Sequence, residues 1–337
     1  MPSLLERKLI VVTGKGGVGK STIAAALALL GARAGKRTAV ACMDGREHSG
    51  ELLADAGVSR VVLDPERDLL AWTRRLGGRV SGRLLASSAT FQYFAAAAPG
   101  AKELVSLVRV AELCEGGEDP YDLVVLDAPA SGHALALLEA PSTFAAIVRS
   151  GPLAEQGERV RELLGSPRAS AYVVVAHATE MAVSETLELE RELRRRIERD
   201  VDAVVVNGAV SRRFTQAELA RIAAAADAAG GGAGGTSRSS GRSSGRSGGR
   251  DDNRGTGDRS SLEAALAAAA GAAEAVNRRG RIQDGQIARL RHQRFEADGS
   301  APLVVKVPLQ ITPSVDRQAL EAIAARLSRG LGDAGVG

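Results

Sequence analysis

Cysteine is almost missing from this chain of 337 residues: Cys42 and Cys114 are its whole complement. Two lone thiols without CxxC spacing give neither a disulfide framework nor a structural zinc site, and they point to the cytoplasm. Long hydrophobic runs are missing as well. No stretch of about 18 apolar residues occurs, which excludes a transmembrane helix. The N-terminal MPSLLERKLIVVTGKGG runs straight into a strand-like segment, with no apolar region and small-residue cleavage site of a signal peptide. Lysine is scarce, six residues within a Lys+Arg total of 44, so arginine carries nearly all the positive charge. That bias reflects genome composition more readily than function.

What remains is ordinary soluble usage, 45% hydrophobic and 25% charged. A sizeable core is available, and collagen, coiled coil and wholesale disorder are excluded for the whole chain. At roughly 150 residues per domain the length allows one large or two ordinary domains. The formal net charge of +4 is mostly local. Residues 228–261 hold six arginines, from Arg238 to Arg259, against Asp251, Asp252 and Asp258, a net +3. This segment has no aromatic side chain to stack on bases, so nucleic acid is not expected as a partner.

Apolar, β-branched runs recur at Leu9–Val12, Thr38–Cys42, Leu123–Leu126, Tyr172–Ala176, Ala203–Val206 and Leu303–Val307. Helical patterns separate them: Lys20–Ala34, Lys102–Glu115, His133–Glu139, Leu153–Leu164, Ser184–Arg199, Thr215–Ala228 and Leu262–Arg294, with Asp316–Leu327 last. Near-continuous apolar strands alternating with helices predict an α/β fold, a mostly parallel sheet with helices on both faces. Residues 58–100 break that beat with short helical pieces between glycines and read as a small helical insertion. Residues 230–260, rich in Gly, Ser and Arg, read as a disordered loop inside a single domain of residues 1–337, because this composition buries too little apolar surface to order itself.

The sharpest signal is Gly14-Lys15-Gly16-Gly17-Val18-Gly19-Lys20-Ser21-Thr22, which matches G-x-x-x-x-G-K-[ST] between a strand and a helix. Glycines let consecutive backbone N–H groups turn inward around phosphate oxygens. The helix that starts near Lys20 adds the positive end of its dipole. Lys20 supplies a point charge for β- and γ-phosphates, Ser21 a hydroxyl for Mg²⁺, and Thr22 a hydroxyl within reach of the α-phosphate. ATP and Mg²⁺ are the cofactors this pattern implies. A second carboxylate-bearing element follows: the strand Tyr121–Leu126 ends in Asp127, at the carboxyl edge of the sheet where ligands of open α/β folds bind.

Lys15 makes the loop more specific. K-G-G-V-G-K-S resembles the deviant Walker A loop of the ParA/MinD, nitrogenase iron protein and ArsA group. By that resemblance Lys15 reaches the nucleotide of an opposing subunit, and activity depends on dimerisation. Asp127-Ala128-Pro129-Ala130-Ser131-Gly132-His133, followed by an apolar helix and Pro141, narrows it further. This is similar to switch II of the arsenite-pump ATPase ArsA and of the ATPase that targets tail-anchored proteins. The resemblance implies that Asp127 acts on Mg²⁺ through water and that Gly132 offers its amide to the γ-phosphate. Asn207, at the end of Val204–Val206, resembles the family's adenine reader, and an amide can both donate to and accept from a purine edge.

The chain departs from the family at switch I. The usual D-P-A-H is replaced by Asp44-Gly45-Arg46-Glu47-His48, with the proline missing and the spacing one residue longer. Asp44 is the candidate to orient the attacking water, with Glu47 and Glu51 as rival carboxylates. The clustered thiols of arsenite capture and the CxxC of a zinc-bridged dimer are both absent, so Cys42 and Cys114 are expected to be buried small hydrophobes. The reading is an ArsA-like, Mg²⁺-dependent ATPase. It is expected to act as a homodimer, or as a heterodimer with a paralogous chain, and to couple hydrolysis to a partner or protein cargo. The alternatives are a MinD/ParA-like positioning ATPase and a slow nucleotide-binding scaffold.

Overall fold

The computed structural model describes residues 4–43, 50–76, 100–116, 120–147, 152–230, 254–298, 303–312 and 314–332. Seven strands form one sheet: β1 (Leu9–Gly14), β2 (Thr38–Cys42), β3 (Ser59–Val62), β4 (Leu123–Asp127), β5 (Ser170–Ala176), β6 (Ala203–Ala209) and β7 (Leu303–Pro308). Their order is β3-β2-β4-β1-β5-β6-β7, and every neighbouring pair is parallel. The helices are α1 (Lys20–Arg33), α2 (Gly50–Ala54), α3 (Pro65–Leu76), α4 (Ala101–Glu115), α5 (Ser131–Ile147), α6 (Pro152–Gly165), α7 (Glu180–Ile197), α8 (Gln216–Gly230), α9 (Arg254–Asp298) and α10 (Arg317–Leu331).

The strands are apolar throughout because both faces of the sheet are covered, and alternate residues serve different cores. Leu9, Val11, Val124, Leu126, Tyr172 and Val174 pack under α4, α5, α6 and α7. Ile10, Val12, Val125, Val173 and Val175 face the opposite way, onto α1 and α10. Helix α1 is buried along Ile23–Gly31. Its helix-forming alanines and leucines therefore need no polar stripe.

Three local readings differ from the sequence. Residues 58–100 begin with a strand, not a helix. β3 is an edge strand of four residues, only half-buried, so it shows no continuous apolar run. Of the rest of that stretch, α3 is helical as expected, and residues 77–99 lie outside the described residues. Helix α5 continues past Glu139 and through Pro141 to Ile147. A proline within a helix removes one backbone hydrogen bond and crowds the preceding turn, at a cost of about 3 kcal/mol. Burial of Leu137, Leu138 and Phe144 on both sides of it offsets that, at about 1.5–3 kcal/mol for each large apolar side chain. Finally, α9 starts at Arg254, so residues 254–260 are helical where a loop was expected. Propagation from an established helix costs far less than nucleation, and it carries the alanine-rich segment back through Gly255 and Gly257. The expected disorder of 231–253 concerns residues outside those described.

The chain divides into two compact units, residues 1–209 with 286–337, and residues 210–285. The first holds the sheet. In the second, the Val210 N–H donates to Gln283 Oε1 at 2.7 Å and Arg212 pairs with Asp284 at 3.2 Å.

Candidate functional site

The order of the strands makes the site. The chain leaves β1 for one half of the sheet and later enters β5 on the other side, so β1 lies between β4 and β5. Connections diverge above that point and leave a crevice at the carboxyl ends of the strands. The loop Gly14–Gly19 spans it, between β1 and the first turn of α1.

Two glycines are required there by geometry. Gly14 has φ +144°, and a side chain on it would collide with the Val175 carbonyl of the neighbouring strand. Gly19 has φ +90°, and a Cβ there would collide with the Asn207 amide nitrogen. Gly19 is also the N-cap of α1 with no side-chain cap, which leaves the first N–H groups of the helix to point into the loop. Gly16 and Gly17 are exposed and open, while Val18 is buried and anchors the loop to the sheet.

Lys20 is the first residue of α1. Its Nζ donates to the Lys15 carbonyl at 3.1 Å. Burial pushes its pKa below the usual lysine value, and the nearby Asp127 carboxylate partly counters this. Asp127 ends β4, opposite Val12 of β1 and Cys42 of β2, and the following Ala128 N–H donates to the Val12 carbonyl at 3.0 Å. The two strands thus hold the lysine and the carboxylate at one edge. Ser21 is exposed and Thr22 half-buried on the first turn of α1. Ser131 and Gly132 open α5 directly after Asp127-Ala128-Pro129-Ala130, and Gly132 is exposed with free space beside it. Asn207 ends the apolar run of β6 and donates from Nδ2 to the Val18 carbonyl at 2.9 Å. This tethers the phosphate loop to a strand two places away and leaves the amide oxygen as an acceptor.

Sequence reasoning brought together Lys15, Lys20, Ser21, Asp127, Gly132 and Asn207, and the structure sets their elements on one sheet edge. Asp44 and Glu47 lie outside the described residues, as does the side chain of Glu51. One partner was missed. Glu185 of α7 accepts a hydrogen bond from Lys15 Nζ at 2.7 Å. Nothing in the spacing signals it, since 170 residues separate the two. Both cysteines are buried, and desolvation pushes the Cys114 thiol up to about 12, so Cys114 is not a reactive thiolate.

Two family descriptions match the chain. That of the CobQ/CobB/MinD/ParA nucleotide-binding domain covers residues 9–47, and that of the anion-transporting ATPases covers residues 79–151. By these matches the chain is similar to the ArsA-like P-loop ATPases. Among its relatives, the ATPase BagA of Mycobacterium tuberculosis is 29% identical over 239 residues, covering 64% of this chain and 69% of BagA. The arsenical pump-driving ATPase of Escherichia coli is 26% identical over 245 residues, covering 63% of this chain and 41% of that protein. A putative arsenical pump-driving ATPase of Halobacterium salinarum is 27% identical over 230 residues, covering 60% and 35%. The chain thus spans well under half of the two pump-driving ATPases it resembles. Among the described residues no helix is long and apolar enough to cross a membrane.

Proposed function

We propose that this ArsA-like ATPase is Mg²⁺-dependent, acts as a dimer of identical or paralogous chains, and couples its nucleotide cycle to a protein partner or cargo. The observation that carries the reading is Lys20 at the start of α1, close enough to Asp127 of β4 to feel its charge.

Mg²⁺ is usually held by one or two carboxylates together with substrate phosphates and water. Ser21 and Asp127 offer a hydroxyl and a carboxylate, both oxygen donors. No group of three His, Cys, Asp or Glu side chains among the described residues forms a protein-only cage. This donor set fits Mg²⁺ held mainly by the triphosphate, where the ion neutralises charge that builds on phosphate oxygens. In this reading the amides of Gly16–Lys20 cradle the phosphates, Lys20 neutralises the β/γ bridge, and Thr22 reaches the α-phosphate. The Gly132 amide senses the γ-phosphate at the root of α5, Asn207 faces the adenine edge, and Asp44 orients the water. Lys15 adds a second cation from across the interface. Exposed apolar residues on the same edge support an interface there: Met181 after β5, and Leu309 and Ile311 after β7, at 61%, 48% and 83% exposure.

The test is hydrolysis measured against protein concentration, with sedimentation in parallel. Turnover per chain is expected to rise with concentration and to stop on chelation of Mg²⁺. Lys15→Ala is expected to bind ATP yet lose ATP-promoted association. A monomer in saturating Mg²⁺-ATP with concentration-independent turnover would overturn the dimer.

A further inference from the structure

We infer that Glu185 is a positioning residue for Lys15, holding it on its own chain until a phosphate from a second copy displaces the carboxylate. This rests on the reading that Lys15 works across an interface.

The geometry comes from α7. Glu185 shares a helix face with Ala182 and Leu189, and these residues line a narrow crevice against Gly14, Val18 and Val175 beneath the phosphate loop. Lys15 Nζ lies 2.7 Å from Glu185 Oε1, the short distance of a charge-assisted bond. The other carboxylate oxygen, Oε2, is buried without a hydrogen-bond partner among the described residues. The adjacent Thr186 hydroxyl is committed to the Ala182 carbonyl at 2.8 Å and gives no help. Releasing Lys15 would therefore leave a half-covered carboxylate with neither oxygen paired, a state that costs free energy.

Lys15 is held at a second point too. Its carbonyl accepts from Lys20 Nζ, the cation that faces the phosphates. Nucleotide that draws Lys20 away from this carbonyl loosens the loop at the residue whose side chain is latched to α7. The fixed negative charge of Glu185 beside the loop also opposes a triphosphate, so the two anions compete for one ammonium. The exchange conserves charge pairing: Lys15 gives up a carboxylate oxygen and gains phosphate oxygens, and only a second copy supplies those. Glu185 thus sets how much protein is needed before ATP drives assembly, without touching the reacting atoms.

Glu185→Gln keeps the shape of the side chain and removes its charge. ATPase turnover and ATP-promoted association are measured as a function of protein concentration, using Mg²⁺-ATP as the probe. The midpoint is expected to fall by about 2- to 10-fold, the scale of a partly exposed ion pair, with turnover at saturating protein unchanged. Glu185→Ala should shift it the same way. In the Lys15→Ala background Glu185→Gln should shift nothing. An unmoved or higher midpoint in both Glu185 variants, with Lys15→Ala still impaired, would overturn the latch alone. Lys15→Ala with normal assembly would instead bring down the trans reading beneath it.

Discussion

At the amino ends of the strands, two buried arginines are enclosed by carbonyls and a shared carboxylate, whereas at the carboxyl ends Lys20 is half-buried with few partners. Arg199 is 5% exposed along its side chain, and it donates to the Leu164 and Ser170 carbonyls at 3.3 and 3.0 Å. It also lies 3.6 Å from Asp202 and over the Tyr172 ring at 5.1 Å. Arg7 donates to the Pro167 carbonyl and sits 4.0 Å from the same Asp202, which in turn accepts from the Tyr172 N–H. This network joins β1, β5 and β6; Arg7 Nε within it has no hydrogen-bond partner among the described residues, but Arg7 is only 6% exposed and closed to a ligand. Lys20, by contrast, is half-buried with its pKa pushed down by desolvation, beside a row of glycines. A cation kept at a desolvation cost beside open backbone N–H groups gains most when an anion arrives. The difference teaches that a buried charge marks a function only when its surroundings leave it both underpaired and open to a ligand.

The comparison can be broken most severely at the amino edge. Arg199→Met leaves Asp202 with less compensation and should destabilise the fold by about 3–5 kcal/mol, the usual cost of removing one partner of a buried pair. Denaturant unfolding reads the loss, and calorimetry should find the ATP affinity of the folded fraction unchanged. If affinity falls along with stability, the two edges are coupled and the contrast fails.

At the carboxyl edge the effects should divide the other way. Lys20→Ala should weaken ATP binding by about 10²–10³-fold, the scale of about 2–5 kcal/mol for one partner of a desolvated charge pair. Its melting temperature should not fall, because the folded state bears the cost of a desolvated ammonium. A large drop in melting temperature would show that Lys20 also supports the fold.

Gly19→Ala sharpens the contrast at the loop itself. A left-handed residue with a Cβ costs about 1–2 kcal/mol, and this one would also push Asn207 off the Val18 carbonyl. Stability and ATP affinity should both decline modestly, and unaltered binding would show that the Asn207 tether is dispensable.

The smallest effect is in pH. Phosphate should raise the depressed pKa of Lys20, so the complex holds a proton that the free protein has begun to lose. ATP affinity should therefore be full below the free-protein pKa and decline as pH rises through it, starting below the usual lysine range. Titration calorimetry in buffers of different ionisation heat would detect the proton uptake. A flat profile up to the ordinary lysine value would contradict the role of burial.

By itself the sequence determined six of the seven strands, the parallel sheet and the phosphate loop. Each of these is written in contiguous residues: a strand covered on both faces needs an unbroken apolar run, and a phosphate cradle needs glycines at fixed intervals before a helix. Elements whose stability comes from elsewhere in the fold were not legible. β3 forms because β2 offers it a free edge, not because its own four residues are apolar. Helix α5 passes Pro141 because the buried side chains beyond it outweigh a lost hydrogen bond. Tertiary structure alone placed Glu185 against Lys15 and Asn207 against the phosphate loop. Such contacts depend on where α7 and β6 dock on the sheet, and short-range patterns carry no information about a pairing made across 170 or 189 residues.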